Sequence, residues 1–229
     1  MDISRQVFRR SSRMGLMYVI IGLLMGVVLT VVLDLAGSVG SVTQNGATFD
    51  VGSFTGSIVV SFGALVGIVA ATPVFFLFVY DKNAGVLEYL LAVGMTQREV
   101  FSGYLKGALE LALAVMAPSI VINLVLSPSG IVFGAESAMI SLVLGLADVS
   151  LVTVLMTGFS SMQRRPSGMN SPLGVGVGMV PVLPGLVLGA LVGPSIFWLE
   201  GGLALIILVV AVALLLSLDR LVSREKFLP

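Results

Sequence analysis

The chain has 229 residues, and its 12 basic and 12 acidic residues give a formal net charge of zero, which argues against a nucleic-acid partner. Hydrophobic residues make up 57% and charged residues only 10%, with a mean hydropathy of +1.12, so the composition predicts an all-α integral membrane protein. Cysteine and histidine are both absent, which excludes disulfides, Cys or His metal sites and nucleophiles activated by histidine. A phosphate-binding loop of the form GxxxxGKS/T is also missing. We therefore expect no catalytic residues, no metal site and no ATP hydrolysis by this chain alone.

The first predicted element is a helix over residues 1–14 that lies at the membrane interface. Ile3 and Val7 are four residues apart and give it an apolar face, while arginines cover much of the remaining surface. Two interpretations of these arginines stay open: they lie near anionic lipid headgroups, or they only fix the orientation of the chain. The four residues are Arg5, Arg9, Arg10 and Arg13.

Six apolar runs follow, most of them close to the roughly 20 residues that a helix needs to cross a hydrocarbon core. They lie at about 16–34, 57–80, 107–127, 137–161, 173–193 and 201–219, which predicts six transmembrane helices in a single domain over residues 1–229. When the loops are counted alternately, all twelve basic residues fall on one side. The positive-inside rule then places both termini in the cytoplasm of a multi-pass cell-membrane protein.

The longest charged break between these runs, residues 81–106, has the pattern of two cytoplasmic helices. A short Leu-rich helix at about residues 84–92 is expected to stop at Gly94, a residue typical of helix ends. Thr96 followed by Glu99 is a capping box, which predicts the start of a second helix. That helix continues through the third span to Leu126, roughly 45 Å at about 1.5 Å per residue, so it projects beyond the membrane.

Residues of this segment resemble the cytoplasmic segment of ABC-2 type transporter permeases. The matching strings are Asp81-Lys82-Asn83-Ala84-Gly85-Val86-Leu87-Glu88, then Leu90-Leu91, then Thr96-Gln97-Arg98-Glu99-Val100. In that family the segment is a coupling helix that docks onto a separate ATP-binding subunit. The resemblance implies ATPase contacts at Gly85, Leu87, Glu88, Leu91, Gly94, Met95, Thr96, Arg98 and Glu99.

A weaker resemblance links Ala92-Val93-Gly94-Met95-Thr96 to the FtsX/MacB-type ABC permeases. Those proteins usually carry four spans and a large extracytoplasmic domain, whereas the longest outer loop here, about Asp34 to Ser57, is expected to be a short Gly/Ser/Thr-rich connector. Both resemblances imply an ATPase partner. The alternative that requires no partner is that residues 81–106 form two interfacial helices that only cover the cytoplasmic ends of the bundle.

The ABC-2 resemblance implies half of an exporter. Its partners would be two P-loop ATP-binding subunits, which hold the ATP and Mg²⁺, and a second permease subunit in a homodimer or a heterodimer. Almost entirely apolar spans favour a hydrophobic or amphipathic substrate. GxxxG spacings let helix backbones approach closely, and they suggest a dimer seam at Gly22, Gly26, Gly185 and Gly189.

Asp148 is the acidic residue nearest to the middle of a predicted span. An ionised carboxylate facing lipid would cost several kcal/mol, so Asp148 must face protein or water. It could line a translocation path with Asn123 and Thr153, couple transport to protons, or form only structural hydrogen bonds. Two rival functions therefore stay open beside the ABC permease: an ion- or proton-coupled secondary carrier that uses Asp148, and a membrane scaffold that transports nothing.

Overall fold

The computed structural model describes residues 3–37, 41–44, 47–126, 135–163 and 196–221. These residues form seven helices and one short β-hairpin. The helices are α1 Ile3–Met14, α2 Leu16–Gly37, α3 Val51–Asn83, α4 Val86–Ala92, α5 Gln97–Leu126, α6 Ala135–Met162 and α7 Ile196–Leu221, and the strands are β1 Ser41–Gln44 and β2 Ala47–Asp50.

The described helices confirm a helical membrane protein. Four of them contain stretches long and apolar enough to cross a bilayer: Leu65–Asn83, Gln97–Val125, Ala138–Met162 and Leu199–Ser217. The count rises to five if α1 and the first part of α2, which are bent by 81° relative to each other, are taken as one span. The predicted span at 173–193 lies outside the described residues, so a total of six stays a prediction.

The short Gly/Ser/Thr-rich connector predicted at about Asp34 to Ser57 contains regular structure. Strands β1 and β2 pair antiparallel, with Val42 opposite Phe49, and α3 begins at Val51, six residues before the predicted span. The sequence carries a signal for this hairpin, because the strands flank Asn45-Gly46, a pair typical of two-residue hairpin turns. The expectation of an all-α chain is therefore corrected by one short hairpin.

The core of the bundle lies where α3, α5 and α6 meet. At Gly67 of α3, a Cβ atom would come within 2.8 Å of Met116 Sδ and 3.1 Å of Val149 Cγ2. Ala70 and Ala112 are also fully buried in this core. Small side chains let the helices approach closely, and close packing is what holds helices together where lipid replaces water.

Helix α1 packs along the first part of α5 through two glycines. A Cβ atom on Gly103 would lie 2.6 Å from Ile3 Cγ2, and one on Gly107 would lie 2.6 Å from Val7 Cγ1. The predicted apolar face of α1 is therefore turned towards another helix of the same chain, which places α1 beside the segment that precedes the membrane part of α5.

Candidate functional site

The short helix α4 is bounded by two glycines with left-handed backbone conformations. Gly85 has φ of +73° and Gly94 has φ of +100°, values that side chains with a Cβ rarely adopt. At the end of α4, Gly94 N–H donates to Leu91 O and Met95 N–H donates to Leu90 O. This pair of bonds is the Schellman pattern that terminates a helix, so α4 starts and stops abruptly.

Helix α5 starts three residues later at a complete capping box. Glu99 N–H donates to Thr96 Oγ1 at 3.2 Å, and Thr96 N–H donates back to Glu99 Oε2 at 2.7 Å. The Thr96 hydroxyl also donates to Glu99 Oε2 at 2.9 Å. These bonds satisfy exposed donors at the start of the helix. They also make the connection between α4 and α5 short and well defined.

Asp81, four residues before Gly85, joins three helices. Its carboxylate is 1% exposed and accepts two bonds from the Arg10 guanidinium of α1, at 2.7 and 3.0 Å. It also accepts a bond of 2.6 Å from the Tyr104 hydroxyl of α5. The two groups form a salt bridge of 2.7 Å, and the hydrogen bond to Asp81 raises the pKa of Arg10 above its ordinary value. Bidentate pairing with a third donor makes this a strong and directional contact.

Lys82 joins α3 to the end of α6. Its ammonium group is buried and donates to the backbone carbonyls of Ser160 at 3.0 Å and Ser161 at 2.7 Å, and also to that of Gln163. The last carbonyls of a helix have no partner within the helix and carry partial negative charge. Lys82 therefore stabilises the end of α6 and attaches it to the last turn of α3, directly before α4.

The predicted ATPase contacts separate into buried and accessible residues. Leu87 is 0% exposed and packs in the core under α4, so it holds the helix down and cannot touch a partner in this conformation. Leu91 and Met95 are half-buried and pack against the same core. Gly85 and Glu88 are half-buried as well, and the other predicted contacts are exposed: Gly94, Thr96, Arg98 and Glu99.

Two residues of the accessible face were missed by the sequence analysis. Tyr89 of α4 is 66% exposed and Val93, the helical C-cap residue of α4, is 64% exposed; they lie four residues apart, so they share one face. The same spacing was readable in the sequence. The sequence did not show that this face is exposed, because an apolar residue of a short helix is by default assigned to the buried side.

The three residues predicted for a translocation path have separate roles. Asn123 of α5 donates to the Gly26 carbonyl of α2 at 2.9 Å, and the Thr153 hydroxyl donates to Val149 O in its own helix. Asp148 is 0% exposed, and in the described chain neither of its carboxylate oxygens has a hydrogen-bond partner. Asp148 is thus the one residue of this set that the described contacts do not account for.

Two residues of the predicted dimer seam are used within the chain. Gly22 and Gly26 are buried, and Cβ atoms there would meet Val115 and Ser119 of α5. Close packing of α2 on α5 accounts for their spacing without a second copy. Gly185 and Gly189 lie outside the described residues.

Among the residues that were described, acidic side chains do not gather in groups of three that could hold a metal ion.

The fold and this site define a helical membrane protein whose short surface helix follows the end of α3, at a point where α3 is bonded to α1, α5 and α6. Comparisons with protein-family models, with curated proteins and with solved structures found no match to the chain.

Proposed function

We propose that this chain is the permease subunit of an ATP-driven transporter, similar to the ABC-2 type, and that α4 docks onto a separate P-loop ATPase. The observation that carries the proposal is a short surface helix that directly follows the last turn of α3, where Asp81 and Lys82 bond α3 to neighbouring helices. The residues that would meet the partner are the exposed Tyr89, Val93 and Arg98 and the half-buried Glu88.

The contacts in the last turn of α3, directly before α4, could transmit a movement of α4 to other helices. Asp81 binds α1 and α5, and the adjacent Lys82 binds the end of α6. A push on α4 would therefore displace these helix ends together rather than bend one loop. On the other side, α5 runs from its cap into the membrane. ATP-driven closure of the partner would in this way rotate helices as rigid bodies between inward-facing and outward-facing states.

The proposal implies a larger assembly in the cell membrane. Two ATPase subunits would bind the ATP and Mg²⁺, and a second permease, identical or related, would complete the path. Both termini and α4 would lie in the cytoplasm, as the positions of the basic residues indicate. The resemblance to ABC-2 permeases favours export, and the apolar spans favour a hydrophobic or amphipathic substrate.

Co-purification tests the docking directly. The tagged chain is extracted in mild detergent from its native membrane, and captured proteins are identified by mass spectrometry. We expect a P-loop ATPase, and we expect the double variant Glu88→Ala/Arg98→Ala to lower its recovery about tenfold, the effect of losing roughly 1.4 kcal/mol of binding.

The matched control is Lys106→Ala/Glu110→Ala, which also removes one cation and one anion, here from two exposed positions of α5, but leaves α4 intact. This control should retain the ATPase. All variants are first compared by size-exclusion chromatography, so that only folded protein is scored. Docking through α4 is rejected if the wild type captures no P-loop ATPase, or if both double variants behave alike.

A secondary carrier is the second candidate because of Asp148. A buried carboxyl without a hydrogen-bond partner in the described chain is suited to bind a proton or a cationic group during transport. Purified chain in liposomes distinguishes the two functions. Uptake or release driven by an ion gradient without any ATPase, and abolished by Asp148→Asn, would favour the carrier. Capture of a partner without any transport would instead favour a scaffold.

A further inference from the structure

Helix α1 has an inward face that packs against other helices of the chain. Val7 and Ser11 are buried, and Ile3 and Val7 meet the two glycines of α5 at Gly103 and Gly107. An ordinary interfacial helix places its apolar face in lipid. In α1 that face is covered by α5, so its attachment does not depend on membrane binding.

The opposite face of α1 presents arginines to the surroundings. Arg9 and Arg13 are exposed and lie four residues apart, which places their side chains next to each other. The sequence of α1 contains no acidic residue, and the structure, over the residues that it describes, gives neither arginine an acidic partner. Arg10, by contrast, points to Asp81. Arg9 and Arg13 thus form a positive pair that the fold itself does not use.

An apolar surface begins directly beside this pair. Met14, Leu16 and Met17 are 59%, 61% and 72% exposed, and they lie at the junction where the chain turns by 81° from α1 into α2. A ligand that is negatively charged at one end and apolar at the other would contact both surfaces. Lipid chains beside a membrane helix and a headgroup beside a surface helix have this arrangement.

We propose that Arg9 and Arg13 form a binding site for the phosphate of an anionic phospholipid, with an acyl chain along Met14, Leu16 and Met17. Two neighbouring guanidinium groups match the oxygens of a phosphate through charge-assisted hydrogen bonds. Anionic lipid would bind by both charge and apolar contact, whereas zwitterionic lipid would gain only the second. The site needs no ATPase and does not rest on the function proposed above.

Native mass spectrometry of the purified chain tests this site. The protein in a non-ionic detergent is mixed with equal amounts of phosphatidylglycerol and phosphatidylcholine of identical acyl chains. We expect a preference for phosphatidylglycerol, reduced about fivefold by Arg9→Gln or Arg13→Gln alone and about 25-fold by both, as expected for one cation at a membrane surface and for two.

Three controls decide the source of the preference. Arg98→Gln removes one exposed arginine at the start of α5 and should leave the preference for phosphatidylglycerol unchanged. Arg9→Lys/Arg13→Lys keeps both positive charges and should show most of the wild-type preference. Soluble glycerol phosphate at the same concentration should not displace the lipid. The proposal is overturned by equal binding of both lipids, by full preference in the double Gln variant, by an equal loss in Arg98→Gln, or by displacement with glycerol phosphate.

Discussion

Two neighbouring residues, Asp81 and Lys82, carry opposite charges and are both about 1% exposed. A buried charge is tolerated only where other groups replace water. Arg10 and Tyr104 do so for the carboxylate, and helix-end carbonyls do so for the ammonium group. The two side chains point to different helices, so each bond limits a different motion of the last turn of α3, from which α4 follows.

Replacing Arg10 should destabilise the chain because it leaves the Asp81 carboxylate buried with only the Tyr104 hydroxyl. We expect Arg10→Ala to cost about 1–3 kcal/mol, the range for a buried acceptor that loses a partner. Thermal unfolding in detergent, followed by intrinsic fluorescence, measures the change. Arg9→Ala, at the next position but without a contact to Asp81, is the control and should unfold at nearly the wild-type temperature. Equal midpoints for the wild type and Arg10→Ala would refute the role given to this pair.

The same substitution should lower the unfolding midpoint at one buried aspartate and not at the other. Asp81→Asn removes an ion pair and should lower the unfolding midpoint by several degrees. Asp148→Asn removes no hydrogen bond seen in the described chain and ends the cost of burying a group that can ionise. We expect its midpoint to be equal to or above that of the wild type. A loss at Asp148→Asn as large as that at Asp81→Asn would mean that Asp148 has a structural partner.

At the scale of elements, the attachment of α1 to α5 depends on the glycines that admit Ile3 and Val7. Gly107→Leu should push α1 away, because even a Cβ atom there would lie 2.6 Å from Val7. The chain has no cysteine, so a single Ser11→Cys on the buried face of α1 reports this movement by its rate of maleimide labelling.

Labelling of Ser11→Cys should be slow in the wild-type background and clearly faster with Gly107→Leu. Gly202→Leu is the control, since nothing lies within 4 Å of a Cβ atom at that glycine of α7. Fast labelling in all three proteins would show that α1 is not held against α5. Equally slow labelling in all three would show that these glycines do not decide its position.

The ends of α4 and α5 could be predicted from sequence because the interactions that make them are local. A glycine stop and a capping box involve residues at most five apart. The bonds of Asp81 with Arg10 and of Lys82 with Ser160 join residues 71 and 78 positions apart, and a sequence pattern contains no information about such pairs. For the same reason the spacing of Gly22 and Gly26 indicated close packing but not the helix that they meet.

At the scale of the whole molecule, the bonds of Asp81 and Lys82 bring parts of α1, α3, α5 and α6 together at one end of the bundle. The positive-inside rule predicts that this end is cytoplasmic, and the hairpin between α2 and α3 should then lie outside. The absence of native cysteine allows a clean test with single substitutions, Val93→Cys in α4 and Thr43→Cys in β1.

A membrane-impermeant maleimide applied to intact cells should label Thr43→Cys and leave Val93→Cys unmodified. Inside-out vesicles should give the reverse pattern. Permeabilised cells are the control, since both cysteines should then react. Labelling of Val93→Cys in intact cells would place α4 outside, and docking of a cytoplasmic ATPase onto it would be impossible.

The central claim, that α4 is the contact for an ATPase, is tested most directly by photocrosslinking from Tyr89 in native membranes. A photoreactive phenylalanine analogue replaces Tyr89, which is 66% exposed, and in a matched protein it replaces Leu113, which is 44% exposed on α5. We predict a crosslinked P-loop ATPase, identified by mass spectrometry, from position 89 and not from position 113. Crosslinks to lipid alone, or the same products from both positions, would contradict the account.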